Sequence, residues 1–351
     1  MNNLLRRSAI GMSCLAVAVI LTIGCNRSSK SSSGGDVSGT DRPQLAYVTN
    51  GVASFWVIAE AGAKQGGEEF NADVEVHMPA EGISDQKRIV EDLLTKGVDG
   101  IAISPIDPAN QTDLLNKAAK YCKLITHDSD APESNRLCYI GMDNYVAGRM
   151  CGELVREAIP DGGKIAIFIG RLEQDNARRR WQGTVDAILG RPADPNRSDP
   201  FENEIQEGPW HIVGTYTDQF DRAKGKANAE DAMSRHPDLA AMVGLFAYNP
   251  PLMLEALKQG GKLGKIKVIA FDEADETLQG IKEGYVHGTV VQNPFEYGRQ
   301  SIRILAGLCR GQTLEELGVP ENRIVDIPAR QIRQDNVDEF WAELKKNLGQ
   351  Q

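Results

Sequence analysis

A rhythm constrains this chain more than any single residue does. From Gln44 onward, short apolar runs of strand length alternate with longer stretches of helical period. The spacing predicts strands over residues 44–49, 73–78, 100–104, 124–127 and 137–141, with helices over 55–70, 84–96 and 112–121 between them. The order then restarts. Helices are expected over 144–159, 176–189, 221–234, 251–259 and 273–283, and strands over 164–169, 211–216, 241–246, 267–271 and 286–291. A strand that follows a helix re-enters the sheet parallel to the strand before it, and parallel sheets are covered on both faces. In 351 residues, 41% of them hydrophobic, two such series predict an α/β chain of two doubly wound parallel-sheet domains. The Pro-rich segment 191–209 reads as an extended surface loop without special chemistry.

The first residues follow another pattern. Arg6 and Arg7 precede an apolar run over 9–23, too short to span a bilayer comfortably, which ends at Gly24-Cys25. This resembles a bacterial lipoprotein cleavage site: a signal peptide over 1–24 and acylation of Cys25 are what the resemblance implies. Residues 25–43 are Ser- and Gly-rich and read as a flexible tether. The chain is therefore expected to be exported to the periplasm or cell envelope and anchored to a membrane by lipid rather than spanning it. Six cysteines are present, with no CxxC and no zinc spacing; Cys122 and Cys138, at the starts of consecutive strands, are the best candidates for a disulfide, with two buried thiols as the alternative.

Enzyme signatures do not appear. The chain holds no GxxxxGK[ST], GxSxG or HExxH sequence, and no GxGxxG follows its first strand. Its five histidines include no i, i+4 pair, and His127, beside Asp128 on a strand, points to the opposite face and is expected to be structural. No metal, no cofactor and no enzymatic activity are expected. A net charge of −10 argues against nucleic acid as a partner.

The strand ends offer something else. Ligands of open α/β sheets sit beyond the carboxyl ends of the strands. There the chain places Asn50 with Phe55 and Trp56, Ser104, Asp128-Ser129, Asp143-Asn144, Asp175-Asn176-Ala177-Arg178, Tyr248-Asn249, Phe271-Asp272 and Gln292-Asn293. Carboxylates and amides exchange hydrogen bonds with ring hydroxyls, Arg donates in a fork, and aromatics stack on the C–H faces of a sugar.

Six segments in order, GVDGIAISPID, LITHDSD, YIGMDNYVAGRMCGEL, DNARRRWQG, VIAFDEAD and GTVVQNPFEYG, resemble the periplasmic sugar-binding proteins of the ribose-binding type, the substrate-binding subunits of ABC importers. The resemblance covers roughly residues 44–330. It implies the type I periplasmic binding protein fold, in which three strands form the hinge between lobes: 44–142 with 293–326, and 143–292 with 327–345. It implies ligand contacts from Phe55, Trp56, Asp128, Arg178, Asn249, Phe271, Asp272 and Gln292, to which the strand ends add Asn50, Ser104, Ser129 and Asn144. Two positions depart: Ser129 stands where the family usually has Arg, and Ala53 where it commonly has Asn, with Asn50 nearby. The function implied is that a monomer binds a pentose or hexose and delivers it to a membrane permease and, through that, its ATPase. The alternative is a sensor presenting its closed form to a chemoreceptor or histidine kinase.

Overall fold

The computed structural model describes residues 42–350. The expected signal peptide and Cys25 lie outside them, as does most of the tether. The elements run β1 (Gln44–Val48), α1 (Ser54–Glu69), β2 (Asp73–His77), α2 (Ile83–Lys96), β3 (Gly100–Ile103), α3 (Pro108–Tyr121), β4 (Lys123–His127) and β5 (Tyr139–Gly141). Then come α4 (Asn144–Ala158), β6 (Gly163–Ile169), α5 (Asp175–Ile188), β7 (Ile205–Glu207), β8 (Trp210–Thr217), α6 (Arg222–Arg235), β9 (Leu239–Gly244) and α7 (Asn249–Gln259). The chain continues through β10 (Lys267–Phe271), α8 (Asp275–Lys282), β11 (Val286–Val291), α9 (Pro294–Cys309), β12 (Ile324–Asp326), β13 (Arg330–Ile332) and α10 (Val337–Asn347).

Two sheets result, ordered β12-β5-β4-β3-β1-β2 and β13-β11-β10-β9-β6-β8-β7. All pairings are parallel except β7 with β8 and β11 with β13. The chain passes between the sheets three times: from β5 into α4, from β11 into α9, and from β12 to β13.

Each strand feeds two cores, because successive side chains leave opposite faces of a sheet. Leu45 and Tyr47 pack into one cluster of the first sheet, and Ala46 and Val48 into the other. In the second sheet Ile165, Ile167 and Ile169 separate in the same way from Ala166 and Phe168. This alternation corrects the expected disulfide. Cys138 belongs to the cluster of Leu45 and Tyr47, while Cys122 lies against the cluster on the opposite face, so both are free thiols.

Local chemistry ends and starts the helices. Asp107 caps α3 ahead of Pro108 by accepting from Asn110 N, Asn293 caps α9 ahead of Pro294 by accepting from Glu296 N, and Gly97 closes α2 in the left-handed conformation. Close helix pairs tie the layers together. A Cβ at Gly183 of α5 would lie 2.0 Å from Tyr145 O of α4, and one at Gly298 of α9 would lie 2.1 Å from Ala59 O of α1, so each crossing requires glycine.

The segment after α5 is more than a loop. Residues 205–207 pair antiparallel with β8. Arg191 and Arg197 both reach Asp186, which is fully buried in α5, and Arg191 also binds Asp199 and Glu207. The polar residues that suggested a solvated excursion in fact neutralise a buried carboxylate.

Candidate functional site

Asp128 and Asp272 follow β4 and β10, one in each sheet, and both take left-handed backbone angles, φ 57° and 63°. Aspartate tolerates this conformation better than most residues. The turn lifts each carboxylate off the strand into a cavity of about 280 Å³ between the sheets. Buried Phe55, Trp56, Asn176, Arg180 and Gln292 line its floor with the two aspartates. Phe220, Phe246 and Tyr248 form an aromatic cluster on the wall, with Phe220 5.6 Å from Phe246 and 6.1 Å from Tyr248. The exposed Val52, Arg222 and Glu276 lie at the mouth.

The side chains on the floor are held in place. Asp128 Oδ2 accepts from Ser104 Oγ at 3.0 Å, Asn50 Nδ2 at 3.3 Å and Asn176 Nδ2 at 3.4 Å, the last reaching across from the second sheet. Asn50 Oδ1 in turn accepts from Trp56 Nε1 at 3.2 Å, which fixes the indole. Asp272 Oδ1 accepts from Gln292 Nε2 at 2.9 Å, and Tyr297 OH donates to Gln292 Oε1 at 3.2 Å. Arg180, almost completely buried, lies with its guanidinium carbon 3.9 Å from the Phe271 ring centroid. It donates to Leu245 O at 2.7 Å and to Asn144 Oδ1 at 3.0 Å. Arg180 Nε and Asn176 Oδ1, on two residues that line the cavity, are buried with no partner within the described chain, which is what a site built for a polar ligand leaves open.

Burial pushes the Asp128 carboxyl up to about 6, against the Arg180 guanidinium and the Ser104 hydroxyl, with the charge of Asp272 adding to the push. Burial raises Asp272 as well, opposed by Arg180 and by the bond from Gln292. His127 is pushed down to about 3 by burial. Its ring stacks on Tyr47 at 4.1 Å; Nδ1 accepts from Tyr47 OH at 3.0 Å, and Nε2–H donates to Val48 O at 3.2 Å. It is a neutral core residue.

Of the residues expected from sequence, Asn50, Phe55, Trp56, Asp128, Asp272 and Gln292 line the cavity. The others stand elsewhere. Ser104 supports Asp128, Asn144 holds Arg180, and Phe271 lies in the core beneath the guanidinium. Ser129 is fully buried beside Asp128 without reaching the cavity wall. Asn249 is drawn inward, donating to Asp218 Oδ2 at 3.1 Å and accepting from Phe246 N at 3.0 Å. Arg178 is displaced outright. Its guanidinium donates to Glu173 O at 2.7 Å and Leu172 O at 3.3 Å on a half-exposed face of α5. The arginine that enters the cleft is Arg180, four residues after Asn176 and therefore on the same helical face. That i, i+4 relation was available in DNARRRWQG. Phe220 carried no such signal, because it depends on the left-handed turn at Gln219-Phe220.

Two α/β layers with a polar, aromatic-walled cleft between them, and a buried carboxylate from each lining it, have the build of a two-lobed binding protein. The chain belongs to the periplasmic binding proteins: the model of that family, described as "Periplasmic binding protein domain", matches residues 45–313. A D-ribose/D-allose-binding protein of Pseudomonas aeruginosa is 27% identical over 292 residues, 78% of this chain and 85% of the relative. The ribose import binding protein of Salmonella typhimurium is 22% identical over 305 residues, 86% and 92% of the two chains. Among solved structures, an ABC transporter solute-binding protein of Burkholderia graminis in complex with D-arabinose superposes with a TM-score of 0.73 at 28% identity, covering 84% of this chain and 96% of that one. The fold is that of the type I periplasmic binding proteins, and these relatives are transport binding proteins rather than enzymes.

Proposed function

We propose that this protein binds a monosaccharide, a pentose or hexose, in the cleft between lobes 44–142 with 293–326 and 143–292 with 327–345, and delivers it to an ABC-type importer. The observation that carries this reading is the pairing of Asp128 and Asp272 across one cavity, with Arg180 between Phe271 and the cleft and the Phe55–Trp56 pair on the facing lobe. Carboxylates accept from ring hydroxyls while aromatic faces cover the apolar side of a sugar. The ribose, allose and arabinose in the relatives' names support the class of ligand. With three chain crossings between the lobes, closure around the ligand is a hinge motion. Export, acylation at Cys25 and a monomeric state belong to the same proposal.

A thermal-shift screen of pentoses and hexoses tests it. At least one sugar should raise the melting temperature; a response confined to another ligand class overturns the assignment. Asp272→Ala should lose binding while retaining a cooperative melt, and retained tight binding would remove Asp272 from the site. Palmitate labelling of the wild type and not of Cys25→Ser tests the anchor.

A further inference from the structure

Resting on the sugar-binding reading, we propose that the preferred ligand is an amino sugar, whose protonated amine sits between Asp128 and Asp272. The balance of charges and donors on the cavity floor supports this. Among the described residues, two buried carboxylates face the cavity floor against one buried cation, Arg180. That guanidinium is partly engaged: two of its five N–H groups serve Leu245 O and Asn144 Oδ1, and its Nε–H is buried without a partner. Two other positions where a cation would be expected provide none. Ser129, directly after Asp128, brings no charge, and Arg178 turns away to backbone carbonyls. Among the described residues no lysine lines the cavity, and Arg222 stands at the exposed mouth together with Glu276.

The floor, with Asp128 and Asp272 against Arg180, therefore holds one negative charge in excess. Asp128 Oδ2 takes the three donors the chain supplies, while none of the bonds described reaches Oδ1; Asn176 Oδ1 has no partner. A neutral sugar can fill these acceptors, but its hydroxyls leave the excess charge buried without a counter-ion, a costly arrangement. An ammonium group brings three donors and the missing charge together. The same balance disfavours uronic acids and sugar phosphates, whose anions would meet two carboxylates.

Calorimetry on the purified protein decides between these ligands. D-Glucosamine or D-galactosamine should bind at least about tenfold more tightly than D-glucose or D-galactose, a ratio expected for one charge-assisted contact. N-acetylation, which removes the charge, should abolish that advantage, and so should Asp128→Asn, with its melting temperature confirming an intact fold. If D-ribose, D-arabinose or a parent hexose binds as tightly as every amino sugar, the inference fails while the sugar-binding reading stands. If no sugar binds, with or without an amine, both fail.

Discussion

Asp128 and Asp272 occupy the same backbone setting, once in each sheet. Each follows a strand in a left-handed turn, and each donates its N–H to the neighbouring strand, to Ile140 O at 3.0 Å and Val290 O at 2.8 Å. Each carbonyl then accepts from a hydroxyl of that same neighbour, Tyr139 OH at 2.9 Å or Thr289 Oγ1 at 2.8 Å. The two halves thus use one local solution to present a carboxylate, and they differ in what surrounds it.

That shared placement predicts a pH dependence of binding. In the free protein Asp128 is held near 6, and Asp272 is also raised. A ligand that donates to these carboxylates requires their ionised forms. For a neutral sugar, affinity should be level above pH 7 and fall by up to about tenfold per pH unit once the pH drops below the raised value. Calorimetry between pH 5 and 8 checks this, and constant affinity across the range would mean that Asp128 does not accept from the ligand.

The two arginines of α5 separate cleanly. Arg180→Met removes the buried cation of the cavity floor and should lose binding, while costing about 3 kcal/mol because Leu245 O and Asn144 Oδ1 lose their donor. Arg178→Ala removes a half-exposed side chain bonded to carbonyls and should cost less than about 1 kcal/mol, leaving affinity unchanged. Urea melts with ligand titrations on both variants provide the comparison. Loss of binding on replacing Arg178 would restore the assignment expected from sequence.

Glu273 is buried beside Asp272 with neither carboxyl oxygen bonded, and burial, then the charge of Asp272, holds its pKa well above the usual carboxylate range. The unfolded chain releases this proton near pH 4.5, whereas the folded chain keeps it. Its contribution to stability is therefore complete below 4.5 and declines as the pH rises toward the folded value. Glu273→Gln removes that decline, so its stability relative to wild type should be greater at pH 8 than at pH 5. An equal difference at both values would show that Glu273 does not keep its proton in the folded chain.

Asp186 anchors the segment after α5. It is fully buried and receives Tyr145 OH at 2.7 Å, Gln182 Nε2 at 3.1 Å and Arg197 at 2.6 Å. Asp186→Ala strands these donors and should cost about 3 kcal/mol, read from chemical denaturation. Arg197→Ala, at a partly exposed position where Arg191 still reaches Asp186, should cost less than that.

The fold was legible because parallel strands covered on both faces must be apolar throughout, and runs such as GIAIS and KVIAF cannot serve as half-exposed strands. The strand-end aspartates were legible for the same reason: a charge directly after such a run must leave the core. What failed was direction rather than location. Arg178 and Asn249 lie in the first turns of α5 and α7 but point away: a helical face rotates by about 100° per residue, so the choice among Arg178, Arg179 and Arg180 depends on how α5 meets α4, and Asn249 is taken by Asp218 and Phe246 N. The glycine at 183 sets that contact, and it carries no polar signal of its own.

The free thiols make the molecule convenient to label. Among the described residues, burial pushes Cys122 and Cys309 up to about 11, and Cys138 and Cys151 up to about 12. At neutral pH these sulfurs are poor nucleophiles. In a form with Cys25 replaced, a cysteine introduced at Glu276 on the exposed rim should therefore react ahead of them with a maleimide dye. An environment-sensitive fluorophore there would sit beside the mouth of the cavity and, on the proposed function, turn the protein into an optical sensor without further change to its interior.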